Sequence, residues 1–152
     1  MDRSEKAILT VLCMVYQDNR ILLQNRAKGE WRGLFFPGGH VEKDESFVNA
    51  IVREIAEETR LTIYNPQICG VKQFETENTE RYVVLLYRTD QFSGELRFSE
   101  EGEMLWIDRD DLSNAQVADS FFETLKVYDD ANVTELFYEH DKSEDKWEAK
   151  FY

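Results

Sequence analysis

Cysteine, proline and positive charge are all scarce in this chain of 152 residues. The two cysteines, Cys13 and Cys69, stand far apart, with no CxxC spacing and no histidine beside them. That excludes a zinc signature and a disulfide framework, and their apolar settings predict buried free thiols. Lysine and arginine total 18 against 31 aspartates and glutamates, a formal net charge of −13. Neutralising duplex phosphates needs clustered cations, so no duplex nucleic acid partner is expected, whereas a small phosphorylated ligand held through a metal remains compatible. The apolar run at residues 7–16 is too short for a membrane span, which takes about 20 residues, and reads as a strand. The N-terminus has no basic stretch followed by an apolar run and a small-residue cleavage site, so no membrane association and a cytoplasmic setting are expected.

What is present suits one domain over 1–152 with a single sizeable core: 42% of the residues are hydrophobic and 13% aromatic. Strands are predicted at 7–16 and 21–25 around an Asp18-Asn19 turn, and again at 68–74 and 82–88 as antiparallel neighbours. Shorter strands are predicted at 95–98 and 104–107, with a helical turn at 110–112. A helix is predicted over 46–59, capped by Asp44 or Ser46, with Phe47, Val48, Ile51, Val52 and Ile55 as its apolar stripe. A second helix is expected at 118–128, then a hairpin from 133–138 and 146–151. Strands mixed with two helices indicate an α+β class, or helices sandwiching a sheet.

The most informative stretch is 39–61, GHVEKDESFVNAIVREIAEETRL. Glu54, Glu57 and Glu58 crowd the last turns of the predicted helix. Like charges at i,i+3 and i,i+4 cost roughly 0.2–0.5 kcal/mol per pair, and the helix dipole disfavours anions near its C-terminus. A divalent cation would turn that repulsion into attraction.

Gly39, Glu45, Arg53, Glu54, Ile55, Glu57, Glu58 and Leu61 fall at the spacings of the Nudix box, G-x5-E-x7-R-E-U-x-E-E-x-G-U, after an FPGG lead-in. The segment resembles that box, and residues 7–112 resemble MutT-like Nudix hydrolases. One position departs, because Arg60 stands where the family carries glycine. If Arg60 must take the left-handed conformation that ends a helix, it costs roughly 1–2 kcal/mol.

The resemblance implies a Nudix-type α/β/α sandwich with a mixed sheet, a loop-helix-loop at 39–61, and a C-terminal helix and hairpin over about 118–152. It also implies metal-dependent hydrolysis of a nucleoside diphosphate linked to a group X, with Mg²⁺ or Mn²⁺ as cofactor. The first substrate to expect is a nucleoside triphosphate, including oxidised ones such as 8-oxo-dGTP, cut to monophosphate and pyrophosphate. The implied metal ligands are the Gly38 carbonyl, Glu54, Glu57 and Glu58, with Glu103 favoured over Glu100 and Glu101 as a further acidic ligand. Glu54 is the first candidate to orient or deprotonate water, supported by Arg53 and Glu45 as positioning groups. Arg26, Arg32 and Gly39 are candidates to bind substrate, the arginines as phosphate clamps.

Phe35, Trp31, Tyr82, Asn114, Asp119 and Phe122 are candidates to recognise the base, although most aromatics in such a chain are core. His40, without a partner, reads as structural. Pro37 and Pro66 are the only prolines, and neither stands about fifteen residues past the box, where ADP-ribose hydrolases of the family tend to carry one. Hydrolysis of a dinucleoside polyphosphate or nucleotide sugar, or a non-catalytic nucleotide-sensing domain, are the alternatives. The C-terminal hairpin is a candidate edge for a homodimer.

Overall fold

The fold comes from a computed structural model, and the structure describes residues 1–26, 32–97 and 102–152. The chain begins with β1 (Ala7–Gln17), β2 (Arg20–Arg26), β3 (Gly33–Phe35), β4 (Gly38–His40) and α1 (Phe47–Thr59). Next come β5 (Thr62–Tyr64), β6 (Gln67–Glu75), β7 (Arg81–Thr89) and β8 (Gln91–Ser93). It closes with β9 (Glu103–Asp108), a 3₁₀ helix (Arg109–Asn114), α2 (Phe121–Asp129), β10 (Glu135–Asp141) and β11 (Lys146–Phe151).

Strand β1 organises the molecule because both of its faces are apolar. Val11, Cys13 and Val15 point into one core cluster, and Leu12 and Met14 into the other. That is the period-2 alternation of a strand covered on both sides. Most of β1 pairs in parallel with β7, its middle pairs antiparallel with β4, and its last two residues pair with β2 across the Asp18-Asn19 turn. The sheet therefore forks at β1. One arm continues through β7, β6, β10 and β11, and the other through β2 to β3 and β9. β5 and β8 form a separate two-stranded sheet.

The helices cover opposite faces. Ala50, Ile51 and Ile55 of α1 pack with Val11, Val15, Leu22, Leu85 and Met104. Phe121, Leu125 and Tyr128 of α2 pack with Leu12, Met14, Phe36 and Leu136. Fully burying one such side chain contributes about 1.5–3 kcal/mol, so both helices are held by tertiary burial rather than by propensity. The result is the expected α+β sandwich with a mixed sheet.

Several boundaries differ from the sequence reading for identifiable reasons. The apolar stripe of α1 is rotated: Phe47 and Val48 are exposed, while Glu58 and Thr59 are buried. No strand forms at Glu95–Arg97, and Phe98 lies outside the described residues. The pairing occurs earlier, where β8 meets β5. Helix α2 starts three residues late because the backbone before it is engaged with β3, Leu34 N–H donating to Gln116 O and Ala118 N–H to Leu34 O. Cys13 is buried as expected, whereas Cys69 is only half-buried. Among the described residues no helix is long and apolar enough to cross a membrane.

Candidate active site

The FPGG segment enters the sheet as β4. The Cys13 N–H donates to Pro37 O at 3.0 Å, and Gly38, Gly39 and His40 lie against Leu12, Val11 and Thr10. Glycine is needed here because the chain passes so close to β1 and α1. A Cβ on Gly38 would strike the Val11 carbonyl oxygen, and one on Gly39 would lie 2.5 Å from the Glu54 carboxylate. Close backbone approach is thus the requirement.

Helix α1 begins at Ser46, whose Oγ accepts the Asn49 N–H at 3.0 Å. Asp44, the other candidate cap, occupies a left-handed turn at φ 63°. Arg60 ends the helix in the left-handed conformation, φ 67°, its N–H donating to Ala56 O. The Thr59 carbonyl accepts the Arg97 N–H at 2.9 Å. The helix therefore stops where the sequence predicts, with arginine in the glycine conformation.

Along α1, Arg53 organises the acids. Its Nε and Nη2 donate to the two oxygens of Glu45 at 2.7 and 2.9 Å, and Nη2 also donates to the His40 carbonyl at 3.0 Å. Its Nη1 donates to Glu54 at 2.9 Å and to Glu57 at 3.3 Å. The guanidinium thus offsets the crowding of carboxylates on the helix and ties α1 to both the Glu45 turn and the diglycine strand. The Arg53 bonds hold the Glu45 carboxyl down at about 2, and Glu45 in turn holds the Arg53 guanidinium above its ordinary range. Glu58 is buried and accepts the Gly38 N–H at 3.2 Å.

A cleft of about 540 Å³ opens beside this cluster. Gly38, Gly39, His40, Glu54 and Glu58 line it together with Gly102, and so do Thr10, Gln24, Arg26, Phe35, Lys72, Phe74 and Tyr82. Arg26 donates to the buried Gln24 side chain at 3.2 Å and lies over the Phe35 ring at 5.7 Å. Phe74 and Tyr82 stack at 4.9 Å.

Of the expected site residues, Gly38, Gly39, Glu54, Glu58 and Arg26 meet at this cleft. Arg53 and Glu45 stand behind them as the bonded pair that fixes Glu54. Glu57 is more exposed and joins through Arg53. Glu103 is exposed at the start of β9, opposite Asn25, while its neighbour Gly102 reaches the cleft. Arg32 is exposed and does not line the cleft. Glu100, Glu101 and Trp31 lie outside the described residues. Among the described residues no three Asp, Glu, His or Cys side chains converge tightly enough to enclose a metal alone.

Of the base-recognition candidates, Phe35 and Tyr82 line the cleft, whereas Asn114, Asp119 and Phe122 are exposed elsewhere. Sequence reasoning missed Lys72, Gln24 and Thr10. The period-2 alternation of β6 does carry a signal for Lys72, since it falls on the same face as Gly70 and Phe74.

Residues 6–128 match the NUDIX domain family. The chain belongs to the Nudix family, and within it is a MutT-like pyrophosphohydrolase. It is 32% identical over 111 residues to "Uncharacterized Nudix hydrolase YvcI" of Bacillus subtilis, covering 70% of this chain and 69% of that one. It is 32% identical over 114 residues to "Oxidized purine nucleoside triphosphate hydrolase" of Danio rerio, covering 72% and 71%. It is 33% identical over 92 residues to "ADP-ribose pyrophosphatase" of Methanocaldococcus jannaschii, covering 59% and 54%. Among solved structures, the MutT NUDIX hydrolase from Burkholderia pseudomallei superposes with a TM-score of 0.71 at 28% identity, covering 80% of this chain and 98% of that one.

Proposed function

We propose that this enzyme cleaves a nucleoside triphosphate to the monophosphate and pyrophosphate, with oxidised purine nucleotides such as 8-oxo-dGTP as the leading substrates. The observation that carries this reading is the composition of the cleft beside α1. Glu54 and Glu58 adjoin the diglycine strand, and aromatic side chains with Arg26 line the same space. A nucleotide needs both: oxygens that can act on phosphate and a face on which a base can lie.

The residues fit a hard divalent cation, Mg²⁺ or Mn²⁺. Their donors are all oxygen, and Gly39 leaves room for the Glu54 carboxylate that any larger residue would displace. Glu54, Glu57, Glu58 and the Gly38 carbonyl would hold it, with Glu103 a further candidate. When bound, such an ion neutralises phosphate charge and lowers the pKa of a water. Glu54, bonded to Arg53, would be the group that orients an attacking water and accepts its proton. Glu45 keeps Arg53 in register, and Arg26 faces the cleft as a phosphate clamp, with Arg32 a second candidate. Cytoplasmic nucleotide pools are the matching setting. Association of two copies along β11, the outermost strand, belongs to the same proposal.

Pyrophosphate release with Mg²⁺ from a panel of dGTP, 8-oxo-dGTP, dATP, dinucleoside polyphosphates, a nucleotide sugar and ADP-ribose tests the reading. Glu57→Gln and Glu58→Gln should each lower turnover at least ~10-fold. Turnover untouched by both substitutions would remove the metal-site assignment. No release from any substrate, with nucleotide binding intact, would make the domain a sensor.

A further inference from the structure

Besides Arg26, a second basic side chain lines the cleft. Lys72 is 3% exposed, yet it lines the cleft. The pairing registers place Lys72 of β6, Val84 of β7, Thr10 of β1 and His40 of β4 in one row across the sheet. At about 4.8 Å per strand, the Lys72 backbone lies roughly 14 Å from that of His40. From there its ammonium reaches the Phe35 ring, over which the Arg26 guanidinium also lies. Its position marks the part of the cleft away from the carboxylates.

The surroundings there are aromatic. The Lys72 ammonium donates to Ser120 Oγ at 2.7 Å and to Thr124 Oγ1 at 3.4 Å. It lies 5.1 Å from the centre of the Phe35 ring and 5.5 Å from that of Tyr138. Phe74, two residues along β6, stacks on Tyr82 and meets Trp147 edge-on at 6.4 Å. Tyr138 and Trp147 belong to the C-terminal hairpin, beyond the residues that match the family. The chain's own extension thus packs against two of the residues that line the cleft, Lys72 and Phe74. Burying an ammonium is unfavourable where an apolar side chain would pack without loss, which points to a use for its charge.

We propose that Lys72 reads the nucleobase, selecting a base that presents a carbonyl oxygen, as guanine does at O6, over one that presents an amino group, as adenine does at N6. The inference rests on the reading above, that the cleft takes a nucleotide. An ammonium has three donors and no acceptor. However its donors are shared with Ser120 and Thr124, it offers nothing to an amino group. Guanine carries acceptors at O6 and N7, while adenine carries a donor at N6. Phe35, Phe74 and Tyr82 supply ring faces but no such discrimination, because every base has a π-face.

Calorimetric binding of dGMP and dAMP to the intact protein tests the inference without requiring turnover. The wild type should bind dGMP at least ~10-fold more tightly than dAMP. Lys72→Met should bring the two within about twofold by weakening dGMP alone. Lys72→Gln, which supplies an acceptor as well as a donor, should tighten dAMP. Equal binding by the wild type, no binding of either nucleotide, or a preference that survives both substitutions would overturn the inference. Equal loss of both nucleotides on substitution would also overturn it, because Lys72 would then be holding phosphate. Hydrolysis itself is judged separately by pyrophosphate release, so a protein that selects dGMP but cuts nothing would fail the previous proposal and sustain this one.

Discussion

Arg53 and Glu45 are joined by two parallel hydrogen bonds, Nε to Oε2 at 2.7 Å and Nη2 to Oε1 at 2.9 Å. This fork needs a planar guanidinium, and lysine cannot reproduce it. Since Nη1 of the same group holds Glu54, Arg53→Lys should loosen the carboxylate proposed to act on water. The expected result is a drop in kcat of about 10–100-fold with KM changed much less, read from steady-state kinetics with Mg²⁺.

The same pair gives an acid-side prediction. Glu45 is held at about 2 against an ordinary 4.5, chiefly by its bonds to Arg53. A carboxyl whose folded value is depressed contributes stability above its unfolded value, and that contribution is lost as pH falls toward the folded value. The wild type should therefore melt above Glu45→Gln at neutral pH, and the gap should close between pH 4.5 and about 2. Thermal melts of both proteins across that range would check it; a gap constant with pH would show that Glu45 is not linked to folding.

Gly39→Ala tests whether the diglycine strand shapes the site sterically. A Cβ there would lie 2.5 Å from the Glu54 carboxylate, a contact that must be relieved by moving one partner. Glu54 is the more mobile, so activity should fall at least ~10-fold, since displacements of about 1 Å at a reacting group can cost 100-fold. The melting temperature should change by only a few degrees. A variant of full activity would mean that the backbone yields instead.

The arrangement of the carboxylates was legible because its determinants are local. Ser46 as cap, the end of α1 at Thr59, and Glu45, Arg53, Glu54 and Glu58 at fixed spacing all lie within one loop and one helix. The rest of the cleft was legible only in part: Arg26, Phe35 and Tyr82 were named, but Lys72, Gln24 and Thr10 were not, because their meeting depends on which strands become neighbours. Lys72 reaches the cleft only through β6 pairing with both β7 and β10, and nothing local in residues 67–75 specifies that. The rotated stripe of α1 has the same origin. Phe47 and Val48 suit a helix face by periodicity, but the sheet and the Gly38 N–H claim the face that includes Glu58. Residues 95–97 form no strand, and β5 pairs instead with residues 91–93.

Arg60 offers a stability gain at no catalytic expense. It sits at φ 67°, in a region that costs a side-chain-bearing residue roughly 1–2 kcal/mol. Glycine would remove that strain but adds flexibility to the unfolded chain. Arg60→Gly should thus stabilise by about 1 kcal/mol, or a rise in melting temperature of roughly 2–4 °C for a chain of this size. Turnover should remain, because Arg60 neither lines the cleft nor touches Arg53. A lower melting temperature would mean that the arginine makes a compensating contact.

Lys72 makes the opposite trade. Burial lowers its ammonium from an ordinary 10.5 to about 8. At about 1.4 kcal/mol per tenfold change in proton affinity, the charge opposes folding by roughly 3 kcal/mol when both states are protonated. The sign follows from proton counting. Below about pH 8 the penalty is present in full. Between about 8 and 10.5 the unfolded chain binds the extra proton, so this term favours folding more with each rise in pH. Lys72→Met should accordingly melt higher than the wild type at pH 7, and the difference should shrink as pH approaches 10.5. Parallel melts at pH 7 and pH 10 would measure it. A residue that weakens the fold and sharpens base selection is what a functional site leads one to expect. A less stable Lys72→Met at pH 7 would instead show that the hydroxyls and rings around the ammonium repay its burial.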